Sequence, residues 1–214
     1  MPSVTRNTGV GAGGAAGSAA LGAASGAGET LLCTGAGGSA ALSVGAGGGA
    51  AAFALQFAAA AGAQVWVTSS SPGKIARAQT LGALGGVNYR DADWPAQLQK
   101  RAGGLFDVII DSAGGEGFGK LIELTRPGGR IAFFGATTGN PPGLDLRKSF
   151  FRQISILGST MGSPGDFAGM TQFVAMHRLV PVVDKVFPLA ETEAAFRHME
   201  TAAQFGKIGL EISS

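Results

Sequence analysis

The run Gly45-Ala46-Gly47-Gly48-Gly49 stands just ahead of a helix-forming stretch, Phe53-Ala54-Leu55-Gln56-Phe57-Ala58. A glycine turn at a helix start lets backbone N–H groups approach a pyrophosphate, and the helix N-terminus favours its negative charge. Gly45, Gly47, Gly48 and Gly49 are therefore candidate phosphate contacts. The next apolar run, Val65-Trp66-Val67, ends in Thr68-Ser69-Ser70-Ser71. An acid at that place would hold a free ribose 2′-hydroxyl. Here hydroxyls stand there, with Lys74 and Arg77 close behind. Ser69, Ser70 and Lys74 are expected to meet an adenosine ribose and to tolerate its 2′-phosphate. The expected cofactor is NADP, with NAD compatible. Two further candidate groups are Asp111 with Ser112, and Gly135 with Ala136 and Thr137. Each group ends an apolar run, at the edge where open α/β sheets bind ligands.

Each feature has a plainer rival. The glycines at 45–49 also read as an extension of a low-complexity N-terminus, and Ser69 to Lys74 as a solvated helix start. A second loop, Gly35-Ala36-Gly37-Gly38, carries the same chemistry, so two phosphate turns stay open. Spacing favours the later one. Between Gly45 and Val65 there is room for a turn and about three turns of helix. A helix begun at Gly35 would be broken by Gly45 to Gly49.

The elements that must position these residues alternate along the chain. Strands are expected at Gln64–Thr68, Gly86–Tyr89, Phe106–Asp111, Arg130–Gly135, Ile154–Leu157, Val182–Phe187 and Lys207–Ile212. A first strand is either Thr30–Cys33 or Ala40–Val44. Helices are expected at Ala50–Ala61, from Ser71 and Pro72 through Leu81, at Trp94–Lys100, Phe118–Leu124, Phe167–His177 and Glu191–Glu200. Ser71 serves as an N-cap with Pro72 behind it, and Gly62 as a helix stop. Continuous apolar strands separated by helices imply a parallel sheet covered on both faces. The fold class is thus α/β, a doubly wound Rossmann-like sheet in three layers.

Charge is uneven. Of 16 basic and 14 acidic side chains, only Arg6 and Glu29 precede residue 63. Residues 1–28 are Gly/Ala/Ser-rich and are expected to be flexible, because glycine loses much backbone entropy on ordering and alanine buries little surface. Residues 29–214 are expected to form one nucleotide-binding domain. A net charge of +2 with no basic cluster excludes nucleic acid as the expected partner. No apolar stretch suits a membrane span or a secretory leader, which points to the cytoplasm. Cys33 is the lone cysteine, best read as a small buried residue, and His177 and His198 lie far from it. No metal site is expected from one cysteine and two distant histidines. Asp107 opens its strand and reads as structural, and His177 suits a helix C-terminus.

From about Gly45 to Leu210 the sequence resembles the cofactor domain of the medium-chain dehydrogenase/reductase family, in its zinc-type alcohol dehydrogenase and quinone oxidoreductase branch. The resemblance rests on Phe53–Ala58, Thr68–Ser71 with Lys74, Asn88-Tyr89-Arg90 and Phe106–Ser112. It continues through Arg126–Arg130, Phe134–Thr138, Gly158–Gly162, Pro181–Asp184 and Phe205–Ile208. It implies a nicotinamide cofactor and hydride transfer from NADPH to a quinone, enone or carbonyl. It places Tyr89 on the adenosine side, with core packing as the rival, and Gly135, Ala136 and Thr137 beside the nicotinamide. It also implies a second, β-rich catalytic domain that holds the zinc ligands in zinc-dependent members. That domain has no counterpart here, so no zinc and no zinc-activated alcohol chemistry are expected of this chain alone. A fragment, a truncated homologue and a chain of altered activity all remain open, as does a homodimer. Two other classes compete: a non-catalytic nucleotide-binding module, and an S-adenosylmethionine-dependent methyltransferase, which would place an acid where Ser69 and Ser70 stand.

Overall fold

The computed structural model describes residues 48–212, together with the backbone of strands Ala20–Leu21 (β1), Leu31–Leu32 (β2) and Ser39–Gly45 (β3). After β3 come α1 (Gly49–Ala60), β4 (Gln64–Ser69), α2 (Pro72–Thr80), β5 (Ala83–Asn88) and α3 (Trp94–Ala102). Then follow β6 (Phe106–Asp111), α4 (Phe118–Leu124), β7 (Thr125–Phe133), α5 (Leu146–Phe151) and β8 (Ser155–Gly158). The chain closes with α6 (Pro164–His177), β9 (Val183–Pro188), a 3₁₀ turn at Leu189–Glu191, α7 (Thr192–Glu200) and β10 (Lys207–Glu211).

Among the described residues six strands form one sheet in the order β5-β4-β3-β6-β7-β8, and every pairing between neighbours is parallel. The order reverses between β3 and β6, the crevice where doubly wound sheets take their ligands. Helices cover the sheet through two apolar clusters. One gathers Trp94, Leu98, Phe106, Ile109, Ile122 and Ile131. The other joins Ala51, Leu55 and Ala58 of α1 to Val65, Val67, Ala78 and Phe205. Ile109 belongs to the first while Val108 and Ile110 pack elsewhere, as alternation along a strand requires. Burying a side chain such as Leu98 or Ile109 contributes about 1.5–3 kcal/mol.

The sequence expectations hold for β6 and α4 to the residue. Ser71 caps α2 by accepting from the Lys74 N–H at 3.4 Å, and Gly62 takes the left-handed conformation after α1, with φ +81°. Four expectations need correction. Of the alternative first strand at Thr30–Cys33 only Leu31–Leu32 is described, and it pairs antiparallel with Ala20–Leu21 instead of joining the large sheet. The central strand is β3, so the 45–49 loop is the one that joins it to α1. Gly35–Gly38, Cys33 and Gly47 lie outside the described residues, as does the 1–28 segment apart from β1.

β7 begins at Thr125 rather than after the glycine pair. Gly128 takes φ +76°, and a Cβ on Gly129 would come within 2.9 Å of the Asp107 carbonyl. Two glycines thus carry the strand through a register shift instead of turning it. The strand also stops at Phe133, leaving Phe134 and Gly135 in the following loop. β9 and β10 do not extend the large sheet. They form their own two-stranded parallel sheet, with Gly209 opposite Val186. Finally, α6 starts three residues early, because Ser163 and Asp166 form a reciprocal capping box, and none of its residues is buried.

Candidate functional site

The carboxyl edge of the large sheet gathers most of the candidate residues, in two groups. The first surrounds the start of α1. Gly45 closes β3, Gly48 is the N-cap of α1, and Gly49 is its first residue. No side chain caps this helix and no acid lies in its first turn. Its leading N–H groups therefore carry an unopposed partial positive charge. Gly48 also pairs with Gly206 in an isolated parallel bridge. Lys207 lies across the turn: a Cβ built on Gly49 would stand 2.6 Å from Lys207 Cε and 3.0 Å from Nζ. The small glycine thus leaves room for the flexible end of Lys207 beside the helix start.

Beside this turn, Ser69 ends β4. Its side chain is buried, and its Oγ accepts from the Ser71 N–H at 3.2 Å, which shapes the bend into α2. Ser70 is half-buried. Lys74 donates to the Ala202 carbonyl at 2.5 Å. An ammonium has three donors, so this bond leaves Lys74 capacity for an anion. Arg77, by contrast, is committed. It pairs with Asp184 at 2.8 Å and its guanidinium carbon sits 4.7 Å above the Phe205 ring. Tyr89 follows β5 and is exposed, which removes the core-packing reading.

The second group lies at the ends of β6, β7 and β8. Asp111 is buried, and its carboxylate accepts from the Gly114 N–H at 2.8 Å. The Ser112 carbonyl accepts from both the N–H and the Oγ1 of Thr137, each at 3.3 Å. Thr138 binds the Ala113 carbonyl in the same way, at 2.9 Å from N and 2.8 Å from Oγ1. Two loops are thereby zipped together. Gly114, at φ +67°, allows this approach, since a Cβ would meet the Gly139 carbonyl at 2.6 Å. Gly135 packs on the Ser112 carbonyl, with 3.0 Å left for a Cβ. Beside them opens a mostly apolar depression of about 410 Å³, lined by Phe133, Phe134, Gly135, Ala136, Gly158, Ser159 and Thr160.

Three residues near the site had no role in the sequence reading. Gly206 and Lys207 were visible within Phe205–Ile208, Lys207 also as the start of a strand, and Asp184 within Pro181–Asp184 and the strand Val182–Phe187. Their roles depend on long-range pairing that no local pattern announces. Asp184 accepts from Arg77, from His198 at 2.9 Å and from the Phe205 N–H at 3.1 Å. Burial alone would raise its carboxyl, but the bonds from His198, Arg77 and Phe205 outweigh it and hold it down at about 2.

An open parallel sheet with this strand order and an uncapped glycine turn at its reversal point defines an α/β dinucleotide-binding domain. The comparisons with known proteins make the class specific. The family model described as zinc-binding dehydrogenase matches residues 49–176, more than half of the chain, and the chain belongs to that family. A zinc-type alcohol dehydrogenase-like protein (YogA) of Leptosphaeria maculans is 34% identical over 198 residues, covering 86% of this chain and 51% of that one. A crystal structure of an NAD-dependent alcohol dehydrogenase matches with TM-score 0.75 and 38% identity, over 82% of this chain and 52% of the other. A 2-octenoyl-CoA carboxylase reductase, solved with NADP and 2-octenoyl-CoA, matches with TM-score 0.74 and 26% identity, over 81% of this chain and 43% of that one. The chain therefore spans about half the length of the curated relatives it matches. Family membership bears out the resemblance to medium-chain dehydrogenases and leaves the methyltransferase reading without support. Nicotinamide cofactor binding follows at the level of the family.

Zinc fits the described residues poorly. No group of three or more His, Cys, Asp or Glu side chains comes together among them. No helix among them is long and apolar enough to cross a membrane.

Proposed function

We propose that residues 29–214 form the cofactor domain of an oxidoreductase that prefers NADP. The observation that carries the reading is the junction of β3 and α1. There an uncapped helix start, a glycine whose missing Cβ leaves room for Lys207, and the Lys207 side chain converge. In this reading the N–H groups of Gly48 and Gly49, at the end of the run that Gly45 opens and with Lys207 beside them, hold a pyrophosphate. Ser69, Ser70 and Lys74 take the adenosine ribose and its 2′-phosphate, and Tyr89 covers the adenosine side. Asp111 and Ser112 fix the loop on which Gly135, Ala136 and Thr137 meet the nicotinamide, whose ring supplies hydride chemistry. The apolar depression beside Ala136 suits an unsaturated acceptor, a quinone, enone or carbonyl, presented by a catalytic domain. A cytoplasmic setting and a homodimer belong to the same proposal.

The alternative reading is a nucleotide-binding module without turnover. Fluorescence titration with NADPH and NADH tests the first half of the proposal. NADPH oxidation with quinones and enones as acceptors separates the two readings. Binding of NADPH without turnover of any acceptor would select the module.

A further inference from the structure

We propose that Asp184 is a positioning residue for cofactor binding, acting through the segment Ala202–Lys207. The inference rests on the reading of the α1 start as the pyrophosphate site, and adds the device that keeps Lys207 there. Asp184 sits at the start of β9, on the small sheet, yet both of its oxygens are used across the molecule. Oδ1 accepts from Arg77 of α2 at 2.8 Å and from the Phe205 N–H at 3.1 Å, while Oδ2 meets His198 Nε2 of α7 at 2.9 Å. The Phe205 ring is buried against α1 and under the Arg77 guanidinium. The next two residues are the ones that touch the turn. Gly206 bridges Gly48, and Lys207 crosses Gly49 while its N–H donates to the Val182 carbonyl at 2.8 Å. Gly206 takes φ +102°, and a Cβ there would collide with the Val182 carbonyl.

The same short segment reaches the other end of the site. The Ala202 carbonyl holds Lys74, and Ala202 itself takes φ +50°, an uncommon conformation for a residue with a side chain. Between these ends Gln204 keeps a buried Oε1 with no hydrogen-bond partner. An unmet buried acceptor and a left-handed alanine are costs that local packing does not explain. A strap held at its middle by Asp184, with one end on Lys74 and the other on Gly49, gives them a purpose. Of its two ends it is the Lys207 end that Asp184 fixes directly, through the Phe205 N–H two residues earlier.

A purely structural anchor and a positioning residue differ in one measurable way. If Asp184 acts through Lys207, its loss costs nothing further once Lys207 is gone. The test is a double-mutant cycle on the full 214-residue chain, with Asp184→Ala and Lys207→Ala, read by NADPH titration and accompanied by thermal melts. Each single variant is expected to weaken NADPH binding about tenfold, the scale of one charge-assisted contact, and the double variant no more than the weaker single. Losses that multiply, or an Asp184→Ala chain that binds like the parent, overturn the proposal. If Asp184→Ala does not melt cooperatively, Asp184→Asn takes its place, since it keeps an acceptor for the Phe205 N–H but no charge for Arg77. A smaller loss is then expected, again absent in the Lys207→Ala background. No loss, or a loss that persists there, overturns the proposal. A parent chain that binds neither NADPH nor NADH overturns the pyrophosphate reading itself, and the inference with it.

Discussion

The Lys74 ammonium is bonded to the Ala202 carbonyl, 128 residues away in sequence. The lysine that stands behind the β4 strand end is therefore held in place rather than free in solvent. A held cation loses less side-chain entropy when an anion arrives.

On the proposed reading a preference for NADPH is expected. Lys74→Ala is expected to weaken NADPH binding by about 1–3 kcal/mol, the cost of one charge-assisted bond to phosphate. NADH lacks the 2′-phosphate, so its affinity should hardly change. Fluorescence titration of parent and variant with both cofactors checks this. Equal affinity of the parent for NADPH and NADH would sink the idea.

The glycine turn gives a second expectation. In Gly49→Ala the new methyl meets the flexible end of Lys207, not backbone. The side chain can swing aside, so the melting temperature should stay close to the parent's. Lys207 would leave the helix start, however, and cofactor affinity should fall severalfold. Gly48→Val should weaken binding more than Gly37→Val, because Gly48 caps the helix that leaves the central strand. Calorimetric titration giving the reverse order would move the phosphate turn to residues 35–38.

Much of this arrangement could be read from the chain, and the limits have a physical pattern. Phe106–Asp111 and Phe118–Leu124 were legible because each is a strongly apolar run bounded by turn residues. The Ser71-Pro72 start of α2 was legible because a cap and a proline act within one turn. What stayed hidden depends on partners distant in sequence. Nothing around Asp184 signals that Arg77, His198 and Phe205 converge on it. Nothing in Lys207 signals that it faces Gly49. β9 and β10 have ordinary strand composition, so their separation from the large sheet is a tertiary outcome. The expected amphipathic helix at Phe167–His177 exists, but no residue of α6 is buried. Periodicity reports that a face is apolar, not what covers it.

Asp184 also sets an acid limit on stability. Its carboxyl is held at about 2, below the ordinary carboxylate value, by His198, Arg77 and the Phe205 N–H against the opposing effect of burial. A depressed folded value means that the unfolded chain binds the proton more readily. The contribution of Asp184 is then complete above about pH 4 and is lost as pH falls toward 2. Melting curves between pH 5 and pH 2.5 should show a steeper acid loss in the parent than in Asp184→Asn, which starts less stable but has no carboxylate to protonate there. Parallel curves would show that the network contributes nothing to folding.

The isolated chain is expected to bind cofactor without oxidising alcohols, with or without added zinc. Alcohol oxidation needs a Lewis acid or a general base to take the hydroxyl proton as hydride leaves. A zinc site takes at least three protein ligands. Among the described residues no such group of His, Cys, Asp or Glu exists. His198 is engaged by Asp184, and His177 stacks on Phe173 at a ring separation of 4.2 Å. Reduction of a quinone or enone is less demanding, because the acceptor is already polarised. Slow NADPH consumption with such acceptors is therefore compatible with this chain. Its rate should be low, since the depression at Phe133, Ala136 and Thr160 is open to solvent and would hold an acceptor only loosely. Assays of purified, homogeneous protein with ethanol, benzyl alcohol, quinones and enones, each with and without zinc, check both halves of the expectation. Zinc-stimulated alcohol turnover would mean that ligands outside the described residues, Cys33 among them, converge with the histidines.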